Sequence, residues 1–387
     1  MKGMECVMSR TAAGVKSKKL HSYYDYSLLF IILFLVCFGL VMIYSTSSYN
    51  AQRIYGDAMH FLSRQALFTG AGILIMLFVS RIDYRIYIRN LPVIRLKPIT
   101  LLYLLCLFLQ IYVLIFGVEI NGSKRWIDMG PLGRFQPSEL TKIAVILFTA
   151  YIVNLAPRRL DKFRGFLRVV IFIAPLLGLI VVENFSTALI VGVIMVAICF
   201  VASKKKGYFI ISALIFVGIA ALFIILFPYR SERIRIWMNV ETEPKGYQIL
   251  QGLYAIASGG FFGKGLGQSM QKLGFIPESH NDMIFSVICE ELGLFGAIAL
   301  ILLFLLLIWR IFIIAINSVD LFGGLVATGV LAHIATQVLI NIAVVTNSIP
   351  STGIPLPFIS YGGSSVMVIL FEMGIVLSIS NQIKGEK

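Results

Sequence analysis

The sequence predicts an all-α, polytopic integral membrane protein with ten transmembrane helices and one large loop between the seventh and eighth. Three observations predict it. Of the 387 residues, 58% are hydrophobic and 13% charged, with a mean hydropathy of +0.90; soluble domains carry roughly 25% charged residues. Apolar runs of about 18 residues, enough to cross ~30 Å of hydrocarbon as helix, recur from end to end. Basic residues also alternate in density between successive connections, as the positive-inside rule requires.

The spans are expected at about 27–45, 66–80, 98–118, 136–155, 169–182, 187–203, 208–228, 283–309, 321–345 and 362–380. They divide the chain into a basic N-terminal tail (1–26), a membrane domain (27–380) whose large loop covers 229–282, and a short C-terminal tail (381–387). The first apolar run has no small-residue cleavage motif behind it and reads as a retained span. With both termini cytoplasmic, that side holds five Lys and Arg in the N-terminal tail, five from Arg81 to Lys97, five from Arg158 to Arg168, Lys204 to Lys206, Arg310, and two at the C-terminus. Those are 21 of 33, against 11 in the opposite loops and Lys142 inside a span. The net charge of +14 thus serves topology, and no nucleic-acid partner is expected. Cys37, Cys106, Cys199 and Cys289 fall in spans and Cys6 in the tail, so neither a disulfide framework nor a zinc site is indicated. No internal repeat is visible, which lowers the prior for a transporter built from inverted halves.

Three loops on the predicted outer face are long or unusual, and long structured loops tend to carry function. They are Glu119 to Phe135, the segment from Tyr229 to Asn281, and Asn347 to Ser365 with its three prolines and three glycines. The second runs into the eighth span through PESHNDMIFSVICEELG, with Asp282 at the seam. A carboxylate at a membrane boundary suits either a helix cap or a functional group. His280 two residues before it and a basic stretch upstream favour function. That stretch holds Arg230, Arg233 and Arg235, then Lys245, and then ASGGFFGKGLGQSMQKL with Lys264 and Lys272. Glycines let backbone N–H groups converge on an anion whose oxygens Arg or Lys neutralise, although a flexible loop meeting lipid headgroups has the same composition. Ser258 stands where a nucleotide P-loop needs its first glycine and Gly265 follows Lys264, so ATP is not indicated.

Glu290 lies about 12 Å deeper than Asp282 along an ideal helix and about 80° around it, so the two cannot form a catalytic dyad. A structural charge pair between Glu290 and Lys142 is expected instead, Lys142 being three residues from Glu139 on another span. Plainer roles suit the remaining clusters. Tyr44 to Ser48 read as an interfacial belt at a helix exit, and Glu183 to Thr187 as a tight turn where capping and ligand contact compete. Gln337 and Asn341, one turn apart, can bond across helices, and His333 reads as a packed core residue. Four scattered histidines make no metal site.

Taken in order, YSTSS at Tyr44, FLSRQ at Phe61, GSKRWIDMG with QPSELTK at Gln136, ENFSTA at Glu183, the block from Gly246 to Gly293, and PSTGIPLPFISYGGSS resemble the SEDS family along essentially the whole chain. That family is typified by FtsW, RodA and SpoVE, and the likeness is strongest to the FtsW and SpoVE branch. The resemblance implies a ten-span enzyme of the cytoplasmic membrane that polymerises lipid II into glycan strands on the outer face. It implies a class B penicillin-binding protein as crosslinking partner, contacts with other division or sporulation membrane proteins, and a divalent cation, magnesium or manganese. The family's essential aspartate falls on Asp282, within His280-Asn281-Asp282-Met283-Ile284-Phe285. Asn281 and Met283 stand where Thr and Phe are usual, and Glu183-Asn184 where many members have Pro-Asp.

Lipid II carries its sugar on a pyrophosphate, already a good leaving group, so inverting transfer needs one base and a cationic cradle rather than a glycosidase's general acid. The expected base is Asp282. The expected pyrophosphate contacts are Arg230, Arg233, Lys264 and Lys272, with Lys124 and Arg125 secondary, and His280 and Ser360 are expected to touch substrate. The rival readings are a lipid II flippase, disfavoured because the polar blocks cluster outside rather than through the midplane, and a scaffold that recruits the transpeptidase.

Overall fold

The computed structural model describes residues 21–22, 24–91, 96–120, 123–130, 133–209, 218 and 228–385. The described helices are α1 (Tyr26–Tyr55), α2 (His60–Arg81), α3 (Pro98–Phe116), α4 (Pro137–Leu155), α5 (Phe163–Glu183), α6 (Phe185–Ala202), α7 (Pro228–Met238), α8 (Tyr247–Ser258), α9 (Ile284–Ile316), α10 (Leu321–Val345) and α11 (Gly363–Gln382). Among them, all but α7 and α8 are long and apolar enough to cross a membrane. The expected span over about 208–228 lies almost wholly outside the described residues, as do Cys6 and nearly all of the N-terminal tail.

Local chemistry sets several helix ends. Asp25 caps α1 by accepting from the Leu28 amide at 2.9 Å, and Gly56, left-handed at φ 71, closes it. Asn184 caps α6 through the Thr187 amide, and Asp320 caps α10 through the Gly323 amide at 2.7 Å. Two of these caps also bind cations at the same end of the bundle: Asp25 takes Arg310 at 2.6 Å and Asp320 takes Arg85 at 2.7 Å. There too, β1 (His21–Ser22) pairs antiparallel with β5 (Lys384–Gly385).

The most enclosed spans are α4, α10 and α11, around which the others pack. The α2–α11 pairing is especially close, because a Cβ at Gly374 would meet the Met76 carbonyl at 2.8 Å. Small residues at such crossings let backbones approach where no hydrophobic effect drives helices together.

The large connections gather at the opposite end of the bundle, where two segments differ from expectation. The described residues between 118 and 135 include a small antiparallel sheet of β2 (Val118–Ile120), β3 (Ser123–Asp128) and β4 (Arg134–Phe135). Tyr44 to Ser48, read from sequence as a helix exit, lie well inside α1. Their hydroxyls are satisfied in place: Thr46 donates to the Met42 carbonyl, Ser47 to the Ile43 carbonyl and Ser45 to Glu291.

Candidate active site

Helix α9 is interrupted at Gly293, which adopts φ 68 and ψ −169. An interruption strands the carbonyls before it and the amides after it, and at membrane depth such groups need protein partners. The preceding loop supplies all four. The Lys264 and Gly265 amides donate to the Glu290 and Glu291 carbonyls at 2.9 Å each, while the Leu294 and Phe295 amides donate to the Gly260 and Phe261 carbonyls at 3.0 Å each. Gly263, at φ 80, lies so close to Gly293 that a Cβ on either would collide with the other strand of this seam.

Side chains reinforce the seam. Lys264 Nζ reaches Glu290 Oε1 at 2.6 Å, and the same carboxylate accepts from Ser269 and from the Met270 and Gln271 amides. Lys272, 5% exposed, donates to Glu291 at 2.7 Å and to Ser45 at 3.0 Å, which ties the loop to α1. The Glu290–Lys142 pairing expected from sequence is therefore corrected. Lys142 pairs with Glu139 at 3.0 Å, one helical turn away on α4, because Glu290 faces the loop rather than the bundle centre. Lys264 and Lys272 are likewise paired with carboxylates, Lys272 buried and Lys264 with 35% of its side chain exposed.

Asp282 is half-buried just ahead of α9, whose N-cap position is Met283 without any side-chain cap. The helix-cap reading of Asp282 does not hold, because the cap position is one residue later and no side chain caps α9. Neighbouring segments clamp its backbone. Asn341 Nδ2 on α10 donates to the Asp282 carbonyl and to the Ile354 carbonyl, both at 2.8 Å. One turn earlier, Gln337 donates to the Pro355 carbonyl at 2.9 Å and accepts from Lys142 at 3.4 Å. Gly353, at φ 66, brings the 347–362 segment against the carboxylate, since a Cβ there would lie 3.9 Å from Asp282 Oδ2. Helix α7 closes the third side: Arg233 Nη1 donates to the Ser351 carbonyl at 2.9 Å and Trp237 Nε1 to the Asn347 carbonyl at 2.8 Å. Glu278, Asn347 and Phe358 are the described non-glycine residues with positive φ, and all three lie at this end. Strained backbone of this kind persists where surrounding contacts over-determine it.

Desolvation pushes the Asp282 carboxyl up to about 6, Glu278 adds to the rise, and the Arg233 guanidinium opposes it. The result is a carboxylate poised to exchange a proton near neutrality. His280 is buried between Phe61 and Tyr361, with ring centroids at 4.4 and 5.4 Å, and burial lowers its pKa to about 4, so its ring is neutral. It positions the loop: its carbonyl accepts from the Tyr361 amide at 2.9 Å. Ser360 is also internal, its hydroxyl accepting from the Leu356 amide at 2.8 Å. Lys124 and Arg125 gather elsewhere, where the Lys124 amide and Arg125 Nε both bond to Glu183 beside Gln136 and Ser138. Arg230 lies in α7, with its side chain outside the described residues. Of the expected basic contacts with a described side chain, Arg233 is the one whose charge reaches Asp282.

Sequence reasoning missed Asn341, Gln337 and Gly353 as parts of this site; a carboxamide pair at i and i+4 on an apolar span was the available signal. It also understated the interior, where His333 pairs with Glu372 at 2.8 Å and both are fully buried. Among the described residues no three His, Cys, Asp or Glu side chains converge as metal ligands. A hard divalent cation wants several oxygen donors, so this donor set does not fit a resident metal centre.

Bundle and site together define a polytopic helical membrane protein with a poised carboxylate clamped at its loop-bearing end. The chain belongs to the FtsW/RodA/SpoVE family, whose model, described as cell cycle protein, matches residues 26–385. It is 40% identical over 377 residues to stage V sporulation protein E of Bacillus subtilis, covering 92% of this chain and 96% of that one. It is 38% identical over 370 residues to the probable peptidoglycan glycosyltransferase FtsW of Trichlorobacter lovleyi, covering 93% and 94%. Among solved structures, a chain from a peptidoglycan synthase complex that coordinates polymerization and crosslinking superposes with a TM-score of 0.77 at 28% identity, covering 92% of this chain and 97% of that one. The rod shape determining protein RodA of Thermus thermophilus superposes with a TM-score of 0.67 at 26% identity, covering 93% and 97%.

Proposed function

We infer that this chain is a peptidoglycan glycosyltransferase that polymerises lipid II, with Asp282 as general base and Arg233 beside the pyrophosphate. The observation that carries the reading is the Asp282 carboxyl itself: clamped between α10, the 347–362 segment and α7, raised to about 6 by burial, and under the opposing charge of Arg233. At neutral pH it is ionised yet basic enough to take a proton, the condition for efficient general-base catalysis. In the proposed step Asp282 removes the proton of the acceptor sugar 4-hydroxyl. That oxygen attacks the donor anomeric carbon with inversion, and the bond to the undecaprenyl pyrophosphate breaks with its electron pair on the leaving oxygen. Arg233 offsets the charge developing there, and the proton on Asp282 passes to solvent.

The loop-bearing end faces outward in this reading, with both termini cytoplasmic, because the opposite end carries the clusters around Arg85, Arg158 and Lys204. A class B penicillin-binding protein is the proposed crosslinking partner. Support comes from the solved relative, which belongs to a complex that joins polymerization to crosslinking. Magnesium or manganese enters the proposal only as a companion of the pyrophosphate, with no step assigned to it.

The test is glycan-chain formation from lipid II by the purified full chain in detergent, with and without the transpeptidase. Polymer is expected from the wild type, and Asp282→Asn should lose on the order of 10²–10⁴-fold while eluting as a folded monodisperse protein. Near-normal polymerisation by folded Asp282→Asn removes Asp282 as base. The buried polar line from Asn341 through Gln337 to Lys142 and Glu139 keeps a flippase as the second reading. Product formed in detergent needs no translocation and separates the two.

A further inference from the structure

The segment from Tyr247 to Pro277 is polar and Gly-rich in sequence and would ordinarily be placed in water, yet its only ionisable side chains of Asp, Glu, Lys, Arg or His type are Lys264 and Lys272. Both are tied to fully buried carboxylates: Lys272 is itself buried on Glu291, and Lys264, with 35% of its side chain exposed, reaches in to Glu290. Most of the large side chains the segment turns outward are apolar: Phe261, Phe262, Leu266, Met270 and Phe275 are exposed, Phe262 at 77%. A soluble loop reverses this arrangement, holding apolar groups in and charges out.

Its depth is fixed by the seam. The Gly260 and Phe261 carbonyls are bonded to the amides of Leu294 and Phe295 on the spanning part of α9. Leu294 lies 16 residues from Arg310, whose ion pair with Asp25 marks the far charged end of the bundle. That separation is about 24 Å of helix, less than the ~30 Å thickness of hydrocarbon. The exposed Leu294, Phe295 and Ile298 belong to the lipid-facing stripe of α9, and Phe261 and Phe262 continue that stripe without interruption of the backbone bonding.

We propose that residues 259–275 form a membrane-embedded re-entrant segment whose partner is lipid acyl chain, with Phe261, Phe262 and Leu266 inserted in the leaflet at the loop-bearing end. The two lysine–glutamate pairs are what make insertion tolerable, since an unpaired ammonium at that depth is costly. The proposal stands on the seam and on exposure, independently of the role given to Asp282.

The test uses the unmodified full chain in phosphatidylcholine vesicles doped with a lipid bearing a photoactivatable carbene source on its acyl chain, with labelled residues mapped by mass spectrometry. Residues 261–266 should label as strongly as Phe295, and at least about tenfold more than the exposed segment around Lys245, the preference expected from burying one aromatic ring in hydrocarbon. Hydroxyl-radical footprinting on the same vesicles should leave Phe262 unmodified. Oxidation of Phe262 without acyl-chain labelling overturns the proposal by placing the segment in water. Protection from both reagents overturns it equally, by showing that protein covers the patch. As a second readout, Glu290→Gln should raise aqueous accessibility at residues 261–266 by releasing Lys264 to seek water; unchanged accessibility contradicts the role given to the pairs.

Discussion

Asp282 and Arg233 form an electrostatic couple that pH can interrogate. If Asp282 is the base, polymerisation falls as pH drops through about 6, where the raised carboxyl becomes protonated. Arg233→Ala removes the charge that holds this value down, so the acid limb should move to higher pH; Glu278→Gln removes a charge that pushes it up, so the limb should move lower. Initial rates of glycan formation across pH 5–8 check both directions, and a limb that ignores both substitutions assigns it to another group. Stability gives an independent sign. A carboxyl whose folded pKa exceeds its unfolded value binds more protons when folded, so stability declines as pH rises from about 4 to about 6. Asp282→Asn should therefore unfold at a higher temperature than wild type at pH 7.5 and lose that advantage near pH 4, as read by differential scanning fluorimetry in detergent. Asp282 was legible in the sequence because a boundary carboxylate inside a recognisable block stands out. The partners of Lys264 and Lys272 were not: basic residues in a Gly-rich run look alike whether they face an anion or a buried glutamate, and Ser45, which completes the Lys272 contact, lies 227 positions away.

At the level of elements, two devices build the site, and each has its own signature. The carboxamides of α10 hold the Asp282 and Ile354–Pro355 carbonyls, so Asn341→Leu should leave the Asp282 and Ile354 carbonyls unpaired and let Asp282 drift. The expected outcome is a drop in kcat of about 10²-fold with KM little changed, the pattern of lost positioning. A rise in KM alone, measured with lipid II in detergent, contradicts it. The α9 seam answers to Gly293→Ala, which adds a Cβ at a positive φ facing the Gly263 backbone. It should cost at least about 1–3 kcal/mol and appear as a lower thermal midpoint and poorer recovery after extraction. Periodicity and apolar length made α3, α4, α6, α10 and α11 legible to within a few residues. The same signals ended the first span at 45 although α1 runs to Tyr55, because hydroxyls that bond back to the preceding turn are not distinguishable by composition from those at a helix exit. The break in α9 was invisible for a related reason: Gly293 is tolerated in an apolar run, and what makes it a break is a loop some thirty residues earlier.

Across the whole molecule, the succession of long apolar helices was legible because the membrane imposes their length, whereas the buried charges were not, since pairing depends on which helix faces which. The Lys142–Glu139 pair sits in the most enclosed part of the bundle, with Lys142 2% exposed. Lys142→Met should destabilise the bundle by about 3–5 kcal/mol by orphaning Glu139, and Lys142→Met with Glu139→Gln should recover much of that loss. Thermal unfolding of the four members of this cycle decides it; equal losses in the single and double variants would mean that the pair is not an isolated unit. The interrupted α9 has a further consequence, in the order of synthesis. Residues 259–272 leave the ribosome before Ile284–Ile316, so the Gly260 and Phe261 carbonyls wait for their amide partners, and Lys264 and Lys272 for their glutamates, until the later helix inserts. Maturation of the loop-bearing end is thereby made conditional on a helix that follows it in the chain, and a nascent protein arrested before α9 holds Asp282 without the framework that clamps it.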